Sequence, residues 1–198
     1  MAGNLYDKYG SRNPIARYLV RRFLEAADEL VVISGATSIH EVGCGEGELS
    51  LYLASPQRAL RAGDCSREII QEADRRIRAA GKLVALKVAD IYDLRPECNS
   101  AELVACCEVL EHVPDPDSAM RILAGLAHPF LLASVPREPI WRVLNVARGK
   151  YLRHCGNTPG HIQHWSRWAF IEFLEKYVEV VEVRTPLPWT MVLCRSRA

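Results

Sequence analysis

The sequence predicts an α/β fold: a doubly wound, mostly parallel sheet of seven strands, helices on both faces, and an antiparallel hairpin at its C-terminal side. Three observations carry this expectation. Between residues 37 and 135, short apolar runs alternate with helical stretches of about a dozen residues, the rhythm of βαβ units. The segment Gly43-Cys44-Gly45-Glu46-Gly47 falls at a strand-to-helix junction. The last two apolar runs are separated only by a turn holding Pro186 and Pro188, too short for a crossover helix.

Each element follows from its period. Ile15, Leu19, Phe23, Ala26, Ala27 and Leu30 recur at three- and four-residue spacing, with Asn13-Pro14 as cap and first turn, which predicts a helix over 14–30. The period then changes to that of strands at 37–42, 58–63, 83–88, 103–106 and 130–135. Helices fall between them at 67–80, near Val109 and at 117–126. A helix over 167–177 and strands over 178–184 and 190–194 complete the chain.

The 198 residues suit one domain (1–198), with 1–35 as an N-terminal helical cover and 136–160 as an insertion over the site. A chain 49% hydrophobic and 25% charged is neither disordered nor collagenous. Lys and Arg number 25 against 24 Asp and Glu, so no global charge favours nucleic acid or an anionic surface. The first residues hold no apolar leader, and no apolar run is long enough to span a bilayer; stable membrane insertion is not expected. Seven cysteines, without a CxxC pair, read as reduced thiols of a cytoplasmic protein, monomeric or homodimeric.

The glycines permit a sharp turn and close approach of a ligand to the backbone. Asp64, at the end of the next strand, is placed to accept from ribose hydroxyls. Glu48 stands where a dinucleotide motif has its third glycine, and Glu41 precedes the loop.

On these residues the chain resembles the class I S-adenosylmethionine-dependent methyltransferases, over roughly 37–194. The resemblance implies a Rossmann-like sheet. It also implies that Glu41, Gly43, Cys44, Gly45 and Gly47 meet the methionine end of the cofactor, Asp64 and Cys65 the ribose, and Asp90 and Ile91 the adenine. Residues 103–113 match the fourth-strand motif, with Glu108 beside the cofactor, and Tyr9 would fold over it. Glu102 departs from the aspartate common at that strand entrance.

Glu108-Val109-Leu110-Glu111-His112-Val113 carries the most chemistry. On a helix, Glu108, Glu111 and His112 share one face. Such a turn either packs its polar groups beside the cofactor or supplies hard ligands for a divalent cation. Glu-x-x-Glu-His followed by Gly160-His161-Ile162-Gln163-His164-Trp165 is similar to plant small-RNA 2′-O-methyltransferases and to UbiG-like O-methyltransferases of quinone pathways. The resemblance implies Glu108, Glu111, His112 and His161 as ligands of magnesium or manganese rather than zinc. His164, or His112 in the absence of a metal, is the expected general base.

In the 136–160 insertion, Arg137, Arg142, Arg148, Lys150 and Arg153 face a single acid, Glu138. Trp141, Leu144 and Ala147 would form one apolar helical face. The segment is either a cover with a solvated basic side, able also to touch a membrane surface, or a lid suited to an anionic acceptor. Arg137, Trp141, Arg148, Tyr151 and Trp165 are the expected acceptor contacts. The expected reaction is O-methylation of a small molecule (natural product, sugar, nucleoside or quinone precursor). The alternatives are a metal-independent N- or C-methyltransferase and a non-catalytic cofactor-binding subunit.

Overall fold

The computed structural model describes residues 13–197. Among these residues seven α-helices and seven strands follow in the order α1 (Pro14–Ser34), β1 (Ser38–Val42), α2 (Glu48–Leu53), β2 (Ala59–Asp64), α3 (Arg67–Ala79), β3 (Ala85–Val88), α4 (Pro96–Asn99), β4 (Ala101–Cys107), α5 (Pro116–Leu126), β5 (Ala127–Pro136), α6 (Ile140–Ala147), α7 (Arg167–Glu175), β6 (Val178–Arg184) and β7 (Trp189–Ser196). The sheet order is β3-β2-β1-β4-β5-β7-β6. Strands β1 to β5 pair in parallel, and β7 slots antiparallel between β5 and β6. The doubly wound sheet and its terminal hairpin are those the sequence predicts.

Helix α1 starts where Asn13 accepts from the backbone N–H of Ile15 and Ala16, with Pro14 supplying a first-turn φ. It runs past residue 30 because Val31 continues the buried stripe, and Gly35, at φ +66°, ends it. Consecutive residues of the central strands point to opposite faces, so each strand feeds two cores. Leu103, Leu132 and Leu193 pack with Phe23, Ala27 and Leu30 of α1. Val104, Leu131 and Val192 pack with Met120 and Leu123 of α5 and Phe170 and Leu174 of α7.

Two local expectations are corrected. Strand β3 is only four residues long, and Leu83 is 92% exposed, because this edge strand pairs on one side alone. Residues 108–113 do not form an α-helical turn. Only Leu110–His112 is helical, as one 3₁₀ turn, with Glu108 before it at φ +61° and Val113 after it extended. Pro114 disfavours helical backbone at Val113, so the segment cannot run on as a helix. At the entrance to β4 the Glu102 carboxylate accepts from Thr37 N, Thr37 Oγ1 and Ser38 N (2.7, 3.0 and 3.1 Å), tying β4 to β1.

Phe170 is fully buried where α7 meets the sheet. Phe170→Ala is expected to cost about 3–5 kcal/mol, read as a lowered urea midpoint with an unchanged slope.

Candidate active site

Strand order reverses between β1 and β4, and the loops leaving their C-terminal ends diverge to open a crevice, where ligands bind in such sheets. Two cavities meet there. A cleft of about 420 Å³ lies between the glycine loop and residues 89–91. A second cavity, about 320 Å³, lies beneath the 136–160 insertion and is also lined by α1 through Ile15, Leu19 and Val20. Glu108 and His112 line both and so form the partition.

The first cleft is built on backbone turns. Gly43, Gly45 and Gly47 all have positive φ, and a Cβ on Gly43 would stand 2.3 Å from Val109 Cγ2. Gly43 and Cys44 donate to the Gly63 carbonyl (2.8 and 2.9 Å), and Gly45 N donates to Asp64 Oδ2 (3.1 Å). Asp64 Oδ1 accepts from Ser66 N (3.0 Å), so the carboxylate is oriented from two sides and keeps lone pairs toward the cleft. Asp90 accepts from Tyr92 N (3.0 Å) and lines the floor with Ile91. Burial pushes the Glu41 carboxyl up to about 7, a rise opposed by the hydrogen bond it accepts from the Ser50 hydroxyl and increased by the charge of Asp64. Burial likewise raises the thiols of Cys44 and Cys107, and with Asp64 and Asp90 that of exposed Cys65; all three line this cleft. Gly47 does not line it. Its missing side chain instead lets α3 approach, since a Cβ would meet Ile77 at 3.2 Å and Ala73 at 3.3 Å. Tyr9 lies outside the described residues.

At the partition, Glu111, His112 and His161 bring ligand atoms within 4.8 Å of one another. Glu111 and His161 are buried (1% and 8% exposed), whereas His112 is exposed. His112 Nδ1 stands 2.9 Å from the Gly160 carbonyl, which fixes its proton there and leaves the Nε2 lone pair toward the cluster, 4.0 Å from Glu111 Oε1. The Glu111 carbonyl accepts from Ile162 N and Gln163 N (2.9 and 3.1 Å), pinning the histidine loop to the acidic turn. The His161 ring stacks on Trp141 (5.8 Å) and meets His112 edge-on (4.8 Å). One carboxylate and two imidazoles are a donor set that suits a divalent cation.

Several sequence expectations shift. Glu108 does not join the cluster, because its left-handed backbone turns its carboxylate to Trp189 Nε1 (2.6 Å) and Ser134 Oγ (3.3 Å). His164 lines neither cavity: it is exposed, and its Nε2 lies 2.8 Å from Asn157 Oδ1. Trp165 packs on Phe170 and Phe173, away from the acceptor side, and Arg137 is drawn to it by a backbone bridge; neither lines the second cavity. Trp141, Arg148 and Tyr151 do line it.

Sequence reasoning missed Trp189, Asn145 and Thr158. Asn145, 1% exposed on α6, donates to Gly156 O (2.9 Å) and Thr158 Oγ1 (3.2 Å) and accepts from Arg148 Nη2 (2.6 Å). Thr158 also accepts from Trp141 Nε1 (2.9 Å). Gly156, at φ +79°, sits so close that a Cβ would stand 2.4 Å from Arg142 O. The polar pattern of Asn145 inside an apolar helical face was the one available signal.

A sheet with ligand-shaped crevices at its switch point, a glycine loop and an acid after each of the first strands defines a nucleotide-type cofactor fold. Residues 39–129 match the family described as a methyltransferase domain. The chain is 30% identical over 180 residues to the ubiquinone biosynthesis O-methyltransferase of Xylella fastidiosa (strain 9a5c), covering 83% of this chain and 72% of that protein. It is 31% identical over 156 residues to the enzyme of that name from Xanthomonas euvesicatoria pv. vesicatoria (strain 85-10), where the match takes in 77% of this chain but only 64% of the relative. The magnesium protoporphyrin IX methyltransferase of Synechocystis PCC 6803, solved with bound SAH, shares the fold at TM-score 0.70 and 18% identity, over 95% of this chain and 90% of that one. The methyltransferase domain of a bacterial Hen1 does so at TM-score 0.71 and 18% identity, over 91% and 100%. The chain belongs to the class I S-adenosylmethionine-dependent methyltransferases, and its curated relatives place it beside the ubiquinone-biosynthesis O-methyltransferases.

Between pH 4.5 and about 7 the folded protein keeps a Glu41 proton that the unfolded chain has lost, so this group's contribution to stability falls as pH rises. From pH 5 to pH 8 the urea-derived stability of Glu41→Gln is expected to gain on the apo wild type by about 2–3 kcal/mol. Asn145→Ala is expected to loosen the insertion and leave the cleft intact: proteolysis at 149–157 accelerates at least tenfold, while affinity for S-adenosylhomocysteine stays within about threefold.

Proposed function

We propose that the chain methylates a hydroxyl of a small diol-bearing acceptor, a catechol-type quinone precursor in the first instance, with help from a divalent cation. The single observation that carries this reading is the Glu111–His112–His161 cluster set in the wall between the two cavities. The names of the curated relatives support the acceptor class.

S-adenosylmethionine supplies the electrophilic methyl group, and the first cleft fits it. Among the described residues buried Glu41 has a hydroxyl and no cation for a partner, Asp64 retains acceptor capacity, and the glycine turn leaves backbone room. A cation held by Glu111, His112 and His161, with Glu108 close by in sequence, would lower the pKa of a bound hydroxyl. The remaining work belongs to the chain. Trp141, Leu144 and Ile15 offer apolar walls to a flat ring, and the partition brings its hydroxyl end toward the donor side. Arg148 and Lys150 at the rim suit a carboxylate or phosphate on the acceptor. Without a cation, His112, with Nδ1 committed to Gly160, would present Nε2 as the proton acceptor, which favours His112 over His164 as base in a metal-independent second reading.

No helix of the described residues is long and apolar enough to cross a membrane. All seven cysteines are unpaired, which supports a reducing, cytoplasmic setting.

Methyl transfer to 3,4-dihydroxybenzoate, with and without EDTA and with added magnesium or manganese, tests the reading. EDTA is expected to suppress turnover and either metal to restore it. His161→Ala is expected to lose most activity and the residual response to EDTA, with affinity for S-adenosylhomocysteine nearly unchanged. Turnover indifferent to EDTA in the wild type would discard the cation and leave His112 as base.

A further inference from the structure

We propose that Trp189 is a positioning residue of the transfer site. Through its indole N–H it sets the direction of the Glu108 carboxylate, and through its ring it couples that carboxylate to both cavities. The inference deepens the methyl-transfer reading and rests on it for the assignment of Glu108 to the working site; the bond itself is testable apart from any turnover.

The geometry is specific. Trp189 is 4% exposed, and its Nε1 stands 2.6 Å from Glu108 Oε2. An indole has one polar hydrogen and no acceptor, so this bond uses the whole of its hydrogen-bonding capacity. Glu108 stands at the turn itself. Its backbone lies at φ +61°, off the path of β4, and its other oxygen accepts from Ser134 Oγ (3.3 Å). A carboxylate bonded to an N–H in a partly buried wall gains more than the same bond would give at the surface.

The ring is held from both sides. Phe23, which lines the donor cleft, meets it edge-on at 5.0 Å. Trp141, which lines the acceptor cavity, lies at 5.8 Å and itself stacks on His161. Filling either cavity therefore presses on a ring that carries the hydrogen bond to Glu108. The main chain fixes the residue in place as well: Trp189 N donates to Pro186 O (2.6 Å), and the neighbouring Pro188 O accepts from Arg137 N (2.9 Å).

A merely structural role would need the ring and not the N–H. The ¹⁵N-labelled full chain has four indole signals, one per tryptophan, and Trp189→Phe assigns the one of interest. That signal is expected to be protected from solvent exchange, to move upfield in Glu108→Ala, and to shift when S-adenosylhomocysteine is added. With 3,4-dihydroxybenzoate as acceptor, Trp189→Phe is expected to lower kcat roughly 10- to 100-fold, with affinity for S-adenosylhomocysteine within about threefold. Introduced into Glu108→Ala, it should cost nothing further. A Trp189 signal unmoved by Glu108→Ala overturns the proposal, as does an equal loss from Trp189→Phe with and without Glu108. Should Trp189→Phe fail to fold, Phe replacements of Trp141, Trp165 and Trp168 assign the signal by elimination, and the Glu108→Ala comparison decides alone. Should the catechol not be methylated, the acceptor reading fails and the indole measurement still decides.

Discussion

The site depends on one topological constraint: the chain winds outward from β1 in one direction and from β4 in the other. Loops leaving two neighbouring parallel strands ordinarily cover the same face and crowd each other; here they diverge, and the gap between them cannot be filled by either. The glycine loop after β1 and the acidic turn after β4 are the two lips of that gap. Their separation is then adjusted by a single close approach, Val109 against the hydrogen-only Cα of Gly43. Without a glycine there, the lips would be forced apart or the turn carrying Glu108, Glu111 and His112 would be displaced.

The antiparallel strand β7 adds the second constraint. Running opposite to its neighbours, it begins where they end, so its first residue, paired with Pro136, arrives at the crevice. Trp189 thus joins a site assembled from the ends of β1, β4 and β5 although it lies 81 residues from the glutamate it holds. The hairpin is more than a sheet terminus, since it delivers an aromatic wall to the partition. The same wall receives α1 from below through Phe23 and the insertion from above through Trp141. One hydrophobic contact chain therefore spans both cavities.

How much of this was legible in the sequence depends on the range of the forces involved. The glycine loop was legible because positive φ is a local demand that few other residues meet. The sheet was legible because burial on both faces writes itself into continuous apolar runs. The acidic turn was legible in composition and not in shape: helical spacing placed Glu108 with Glu111 and His112, but Pro114 and the left-handed Glu108 undo that geometry. The choice between His161 and His164 rested on the family resemblance alone, which implied His161 as the ligand; no local pattern encodes it. It is made by backbone N–H groups of residues 162 and 163 bonding to the Glu111 carbonyl, which places His161 inward and leaves His164 to Asn157. Trp189 could be found only by knowing that β7 inserts beside β5, a pairing no local pattern encodes.

The polar groups of the crevice divide by what their surroundings do to charge. Glu41 lies buried behind the glycine loop, where it accepts from the Ser50 hydroxyl, and burial holds its carboxyl up at about 7. Positive charge arriving beside it would lower that pKa, so cation binding in the cleft is coupled to loss of the Glu41 proton. Glu111 is buried on the opposite side of the partition, against two imidazoles instead of a hydroxyl. The two acids therefore meet different partners: a hydroxyl behind the glycine loop, imidazoles at the histidine loop.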